Sequence, residues 1–420
     1  MMLSSPEIDP TKSGTATPSP HAAWSAVGAL SLCVALLIAS EFMPVSLLTP
    51  IAADLKATEG MAGQAISVSG LFAVLASLFV ATLAGRFDRR HVLMGLTTLM
   101  LASLVLISLA PNFAVLMSAR ALLGIAVGGF WALSTATIMR LVPEESVPKA
   151  LGVLYTGNAL ATAFAAPLGS YMGGIIGWRG VFWTLTPLVL INLVWQWRSL
   201  PSLRPERPIP VARVLGLLGR RSVLVAMIGV MFTFGGAFSV FTYLRPFLET
   251  RTQVSVPQLS LLLLVLGVAG FAGTYGASLV LRRNLNALLV GLPLALGAVS
   301  LGLLALGHSL WGVGLMMFGW GALNSAIPVA WSNWLTKGIH DEPEAGGGLM
   351  VAAIQLAIML GAGLGGWLLD RFSITATFTG GAVLLALAAG IMALPVRRDS
   401  AARLATSDTR DMGYSTLGTG

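Results

Sequence analysis

Twelve apolar runs separated by short polar breaks organise this 420-residue chain. A helix that crosses a bilayer needs about 20 mostly apolar residues. The runs at 24–50, 61–84, 92–110, 113–139, 150–174, 180–197, 222–244, 257–281, 286–307, 310–335, 346–369 and 374–395 qualify. The longest polar, Pro-rich interruption, 198–221, divides them six and six. The pattern predicts an all-α membrane protein with twelve transmembrane helices in two pseudo-symmetric six-helix bundles.

The halves echo one another. Arg89-Arg90 after the second run recurs as Arg282-Arg283 after the eighth, an offset of 193. Pro167-Leu168-Gly169-Ser170 in the fifth matches Gly363-Leu364-Gly365-Gly366 in the eleventh, an offset of 196. A near-constant offset argues for duplicated halves around a midplane site. The expected organisation is a disordered cytoplasmic tail (1–23), an N-terminal bundle (24–198), a cytoplasmic central loop (199–221), a C-terminal bundle (222–396) and a second cytoplasmic tail (397–420). Residues 1–23 are rich in Pro, Ser and Thr and lack the basic start and small-residue cleavage site of a signal peptide.

Composition agrees with a membrane body: 56% of residues are hydrophobic and 10% charged, against about 25% charged in soluble domains. A formal charge of +8 suggests nucleic acid until the cations are placed. With both termini inside, nineteen Lys and Arg fall on the inner side and five (Lys56, Arg179, Arg245, Arg251, Arg371) on the outer. That asymmetry orients the chain with cytoplasmic termini and removes the nucleic-acid reading. The single Cys33 excludes an intramolecular disulfide framework.

One acid breaks the pattern. Of seventeen Asp and Glu, only Glu41 sits well inside an apolar run. An intramembrane carboxylate costs roughly 2.5–3.5 kcal/mol on insertion scales and marks a functional site by default. Proton coupling needs a shielded group whose charge can change, and the four histidines all lie in tails or at segment ends. Pro44, three residues on, removes the hydrogen bond to the Ser40 carbonyl and should bend the helix beside the acid. Arg120 is the one cation within a run, at a depth similar to that of Glu41. Two roles are open to it: an ion pair with Glu41 that opens and closes, or a structural anchor bonded to carbonyls.

Polar and aromatic side chains in the runs are candidates for substrate contact. Asn158 and Thr162 stand one turn apart on one helix face. The tenth run carries Asn324, Trp331, Asn333 and Trp334, the eleventh Gln355, and the fourth and seventh Trp131, Phe234, Phe238 and Phe241. Flat aromatic walls with amide groups suit a planar heterocycle bearing a sugar; the alternative for each aromatic is packing or interfacial anchoring.

Other motifs carry no chemistry. Gly361-Ala362-Gly363-Leu364-Gly365-Gly366 matches GxGxxG but lies in a spanning run and reads as a close-packing surface. There is no phosphate-binding GxxxxGK[ST] loop, no metal-ligand spacing of His, Cys and Asp, and no GxSxG or HExxH. The chain is read as a transporter and not an enzyme, with no cofactor and no metal.

Twelve spans, an Arg-rich inner loop after the second, RxxxG from Arg120 to Gly124 and a Pro/Gly-rich fifth span resemble the major facilitator superfamily, most of all its drug:proton antiporter branch. Within that branch, EFMPVSLLTP (41–50), GGFWALS (128–134), RLVPEESVPKAL (140–151), APLGS (166–170), GWRGVF (177–182), FTYLRP (241–246) and VAWSNWLT (329–336) are similar to bacterial purine-nucleoside exporters. The resemblance implies a monomer in the bacterial inner membrane that exports purine ribonucleosides such as inosine and guanosine in exchange for protons. Export of arabinose-like sugars or of assorted drugs is the alternative. It further implies Glu41 as proton site, Arg120 as part of the fourth-span motif, and Asp88, Arg89, Arg90, Pro167 and Gly169 as parts of the conformational switch. One departure stands out. The loop after the second span usually reads GxxxDRxGRR; here Ala81 is followed by GRFDRR (85–90), with Gly85 at the usual Asp position and Asp88 at the usual Gly.

Overall fold

The computed structural model describes residues 20–203, 210–281 and 284–394. The apolar runs are helices in it: α1 (Pro20–Ser46), α2 (Leu48–Asp54), α3 (Glu59–Ala84), α4 (Arg89–Leu109), α5 (Phe113–Leu141), α6 (Val147–Ser199), α7 (Val211–Gly216), α8 (Arg221–Phe241), α9 (Leu244–Phe247), α10 (Val256–Leu281), α11 (Leu285–Leu306), α12 (Leu310–Gly338), α13 (Pro343–Arg371) and α14 (Ile374–Ala393). Residues 1–19 of the expected first tail, the expected second tail and the Arg282-Arg283 echo, together with Lys12, Arg204, Arg207 and the four tail arginines, lie outside the described residues, whereas residues 20–23, expected in the tail, form the first turn of α1.

Short polar side chains start the helices where the apolar runs begin. Asn112 accepts from the Val115 N–H at 3.0 Å to open α5, and Asn284, Ser309 and Ser373 cap α11, α12 and α14 likewise. Eleven helices among the described residues are long and apolar enough to cross a membrane. One of them, Glu144–Ser199, is 56 residues long and holds two expected spans. Gly177 divides it: φ 72° and ψ 162° are non-helical and suit a residue without a side chain. The first expected span also differs from the sequence reading, because α1 ends at Ser46 and the chain jogs at Leu47 (φ −114°, ψ 10°) before α2.

Two large hydrophobic cores form. One gathers Leu30, Leu104, Phe130 and Phe182 from α1, α4, α5 and α6; the other gathers Phe247, Leu296, Trp320 and Phe378 from α9, α11, α12 and α14. The pairings repeat under the six-helix offset. α1 packs on α6, α3 on α5 and α4 on α6; correspondingly α8 packs on α13, α10 on α12 and α11 on α14. α3 meets α13 and α6 meets α10 across the halves.

Lipid tails are as apolar as leucine, so helices in a bilayer associate through close contact rather than water exclusion. A Cβ on Gly128 of α5 would stand 2.0 Å from the Ala73 carbonyl oxygen of α3. In α13, a Cβ on Gly361 would meet the Gly235 carbonyl of α8 at 2.2 Å. The GxGxxG stretch is thus a packing surface, as its place in an apolar run predicts.

Candidate functional site

Glu41 lies five residues before the end of α1, at the face of the molecule away from the two described termini, here called the distal face. It is 3% exposed. Arg120, seven residues into α5 from the same face, is fully buried. The two share a depth, but no N···O contact within 4 Å joins them, and the direct ion pair does not form. Arg120 spends its guanidinium on backbone instead: Nε donates to the Ala65 carbonyl at 3.0 Å, Nη1 to Ser40 at 2.9 Å and Nη2 to the Glu41 carbonyl at 3.3 Å. The Ser40 carbonyl is the one that Pro44 leaves without a helical donor. Arg120 therefore clamps α5 to α1 and α3 and keeps its charge beside the carboxylate without touching it.

An aromatic cluster begins at the next residue. Phe42 lies 5.8 Å from both Phe238 and Phe241 of α8, ring centre to ring centre, and Phe241 stacks on Trp320 of α12 at 5.7 Å. Phe42, Phe238 and Phe241, with Thr162 on α6 and Asn324 and Ser325 on α12, line a pocket between the halves. The pocket holds about 490 Å³ of empty space with its open mouth included.

Of the side chains expected to contact substrate, Thr162, Phe238, Phe241 and Asn324 line this pocket and the others do not. Asn158 is half-buried one turn from Thr162, whose hydroxyl donates to its carbonyl at 2.9 Å. Trp131 stacks on Tyr155 of α6. Trp331 is 2% exposed and packs edge-on against Trp334, the alternative role for an aromatic in a spanning helix. The Asn333 Oδ1 is buried without a partner. Gln355 turns toward Glu41, not toward the pocket.

Asp88 caps α4 through the Arg90 N–H (2.9 Å) and also accepts from the Leu203 N–H (2.9 Å) and the Ser202 hydroxyl. Arg89 donates its N–H to the Leu203 carbonyl at 3.1 Å, and Arg90 Nη2 donates to the Trp197 carbonyl. These bonds tie the loop before α4 to the end of α6, within one half. Burial raises the Asp88 pKa, but the three donors outweigh it and hold the carboxyl below its usual range. Pro167 is buried in α6, and a Cβ on Gly169 would meet Ser46 Oγ at 2.8 Å, so this stretch of α6 sits close against α1.

A model of the Major Facilitator Superfamily matches residues 30–347. The chain belongs to the major facilitator superfamily. Among curated relatives, the "Transcription regulatory protein OpdE" of Pseudomonas aeruginosa is 48% identical over 90% of this chain and 96% of its own length. The "Purine ribonucleoside efflux pump NepI" of Salmonella enteritidis is 41% identical over 89% of this chain and 94% of its own length. In fold, the chain is similar to the human organic anion transporter MFSD10 (TETRAN), with a TM-score of 0.66 and 17% identity over 89% of this chain and 100% of that one. A bacterial homologue of the lysosomal transporter Spinster, crystallised inward-facing and unoccupied, gives the same TM-score and identity over 95% of this chain and 100% of that one.

In this facilitator the halves are bonded together at the distal face, through residues the sequence reading passed over. The Asp370 carboxylate at the end of α13 accepts from Thr58 Oγ1 (2.6 Å) and the Gly60 N–H (3.1 Å), capping α3 from the opposite half. Arg245 in α9 donates to the Ser46 carbonyl and pairs with Glu249 at 2.8 Å. Ser67 donates to the Met359 carbonyl at 2.9 Å. Tyr243, fully buried, donates to the Ala362 carbonyl at 2.8 Å with its side chain against Gly63, Gly365 and Gly366. FTYLRP holds Tyr243 and Arg245, so a signal was present in the sequence, but their partners Ala362 and Ser46 lie 119 and 199 positions away.

Proposed function

We propose that this facilitator exports purine ribonucleosides, inosine and guanosine among them, from the cytoplasm in exchange for protons. The observation that carries the reading is the placement of a fully enclosed carboxylate, Glu41, one residue from Phe42 in an aromatic pocket between two helical halves. Near-full-length identity of 41% to a purine ribonucleoside efflux pump supports the same substrate class. OpdE carries a regulator's name, yet this transporter-fold chain matches 96% of its length, and the reading here follows the fold.

Phe42, Phe238 and Phe241 offer faces to a purine ring, while Thr162, Asn324 and Ser325 offer hydrogen bonds to its edge or to the ribose. Substrate enters as the halves separate at one face while they close at the other. Proton and nucleoside compete for states of the Glu41 site, and the proton gradient returns the empty carrier. The working form is a monomer in the bacterial plasma membrane with both termini cytoplasmic, so the sealed distal face is the outer one. Lys and Arg asymmetry supports that orientation.

Uptake of radiolabelled inosine into inverted vesicles carrying the purified protein tests the function. An imposed gradient, acid inside, should drive accumulation; equal uptake with and without it contradicts proton exchange. Growth protection by overexpression against a purine analogue, with no effect on arabinose accumulation, separates nucleoside from sugar export.

A further inference from the structure

Glu41 and Gln355 face one another across the two halves with complementary needs. Gln355, on α13, is 6% exposed, and its Nε2 is shielded from solvent with no partner other than Glu41. The Glu41 carboxyl, on α1, has Gln355 as its side-chain hydrogen-bond partner among the described residues, since Arg120 is turned to the carbonyls of Ser40, Glu41 and Ala65. A buried donor left unpaired costs about 1–3 kcal/mol, as does a buried acceptor. Each of the two groups is the other's partner across the halves. α13 is also held close: a Cβ on Gly70 of α3 would stand 3.0 Å from the Gln355 carbonyl oxygen.

We propose that Gln355 is the positioning residue for proton exchange at Glu41, a role that rests on Glu41 being the proton site. An amide serves both protonation states. Its Nε2–H₂ donates to the carboxylate when Glu41 is ionised; turned over, its Oε1 accepts from the carboxylic acid when Glu41 holds a proton. The proton arrives from and leaves to water and never resides on the amide. Because Gln355 belongs to one half and Glu41 to the other, the strength of this contact changes with the charge on Glu41. A charge-assisted bond is about twice as strong as a neutral one, so the ionised state draws α13 toward α1 and the protonated state relaxes it. Among the described residues, Arg120, from α5, is the one charged side chain acting on Glu41.

The protonated-carboxyl infrared band of purified wild-type protein that Glu41→Gln removes reads this site without any substrate. Gln355→Met keeps the volume of the side chain and removes both the donor and the acceptor. Half-loss of the band should move to higher pH by about one to two units, and the pH profile of transport should follow. Gln355→His restores a donor and should return the midpoint toward wild type. A midpoint unmoved in Gln355→Met, or moved equally in both variants, overturns the assignment to Gln355 while leaving Glu41 as proton site. Absence of any titrating Glu41 band in wild type removes both readings.

Discussion

Arg120 Nη1 donates to the Ser40 carbonyl at 2.9 Å, the carbonyl that Pro44 deprives of its helical partner. A proline in one helix and an arginine in another thus solve one problem together. The bend at Pro44 frees an acceptor, the arginine fills it, and its charge stays beside Glu41 without neutralising the carboxylate directly.

Arg120→Ala leaves the carbonyls of Ser40 and Ala65 without that donor in a dry site. We expect a loss of about 1–3 kcal/mol, read as a lowered melting temperature in detergent, together with a changed pH profile of transport. Arg120→Lys keeps the charge but not the three-way fork, so it should restore the pH profile better than the stability. An unchanged pH profile in Arg120→Ala would assign the residue a purely structural role.

Pro44→Ala returns an N–H to the chain opposite Ser40. The restored helical bond competes with Arg120 and straightens α1 toward α2. Transport should fall while the melting temperature holds or rises; full activity at unchanged stability would show that the bend is incidental.

The distal seam should respond to Asp370. Removing this carboxylate takes away the cap of α3 and a link between the halves, an N-cap loss of about 1 kcal/mol. That corresponds to roughly a fivefold change in the ratio of closed to open forms. A cysteine placed at Gln64 in a Cys33→Ser background should be labelled correspondingly faster from the distal side in Asp370→Ala. Equal labelling would dismiss the seam as a gate.

Asp88 gives a pH dependence outside the membrane segments. Its carboxyl is held below the usual range by Ser202, Leu203 and Arg90 against the opposing effect of burial. A depressed folded pKa adds stability that is present above the unfolded value, about 3.9, and is lost as pH falls through the folded value. The tie to Leu203 should therefore loosen below about pH 4 in wild type and be pH-independent in Asp88→Asn, as read by hydrogen exchange at the Leu203 amide. The same exchange curve in both proteins would assign the protection to another group.

Much of the fold was legible because an apolar run of spanning length leaves the backbone no alternative to a helix. Gly177 and its neighbours also declared the break between the fifth and sixth spans, where the structure turns within α6. Glu41 declared itself by its cost in lipid. The rest depended on which residues meet. Nothing local says that Arg120 should prefer the Ser40 carbonyl to the Glu41 carboxylate, or that Asp370 should cap a helix 310 positions upstream. Phe42 was hidden behind Glu41, although it forms a wall of the pocket. Trp331 and Trp131 have the composition of a binding site but are spent on Trp334 and Tyr155.

The most direct measurement compares wild type with Glu41→Gln in inverted vesicles under an imposed proton gradient. Wild type should accumulate inosine against its concentration gradient, and Glu41→Gln, folded and still able to bind nucleoside, should not. Proton-driven accumulation by Glu41→Gln at the wild-type rate would contradict a mechanism centred on that carboxyl group.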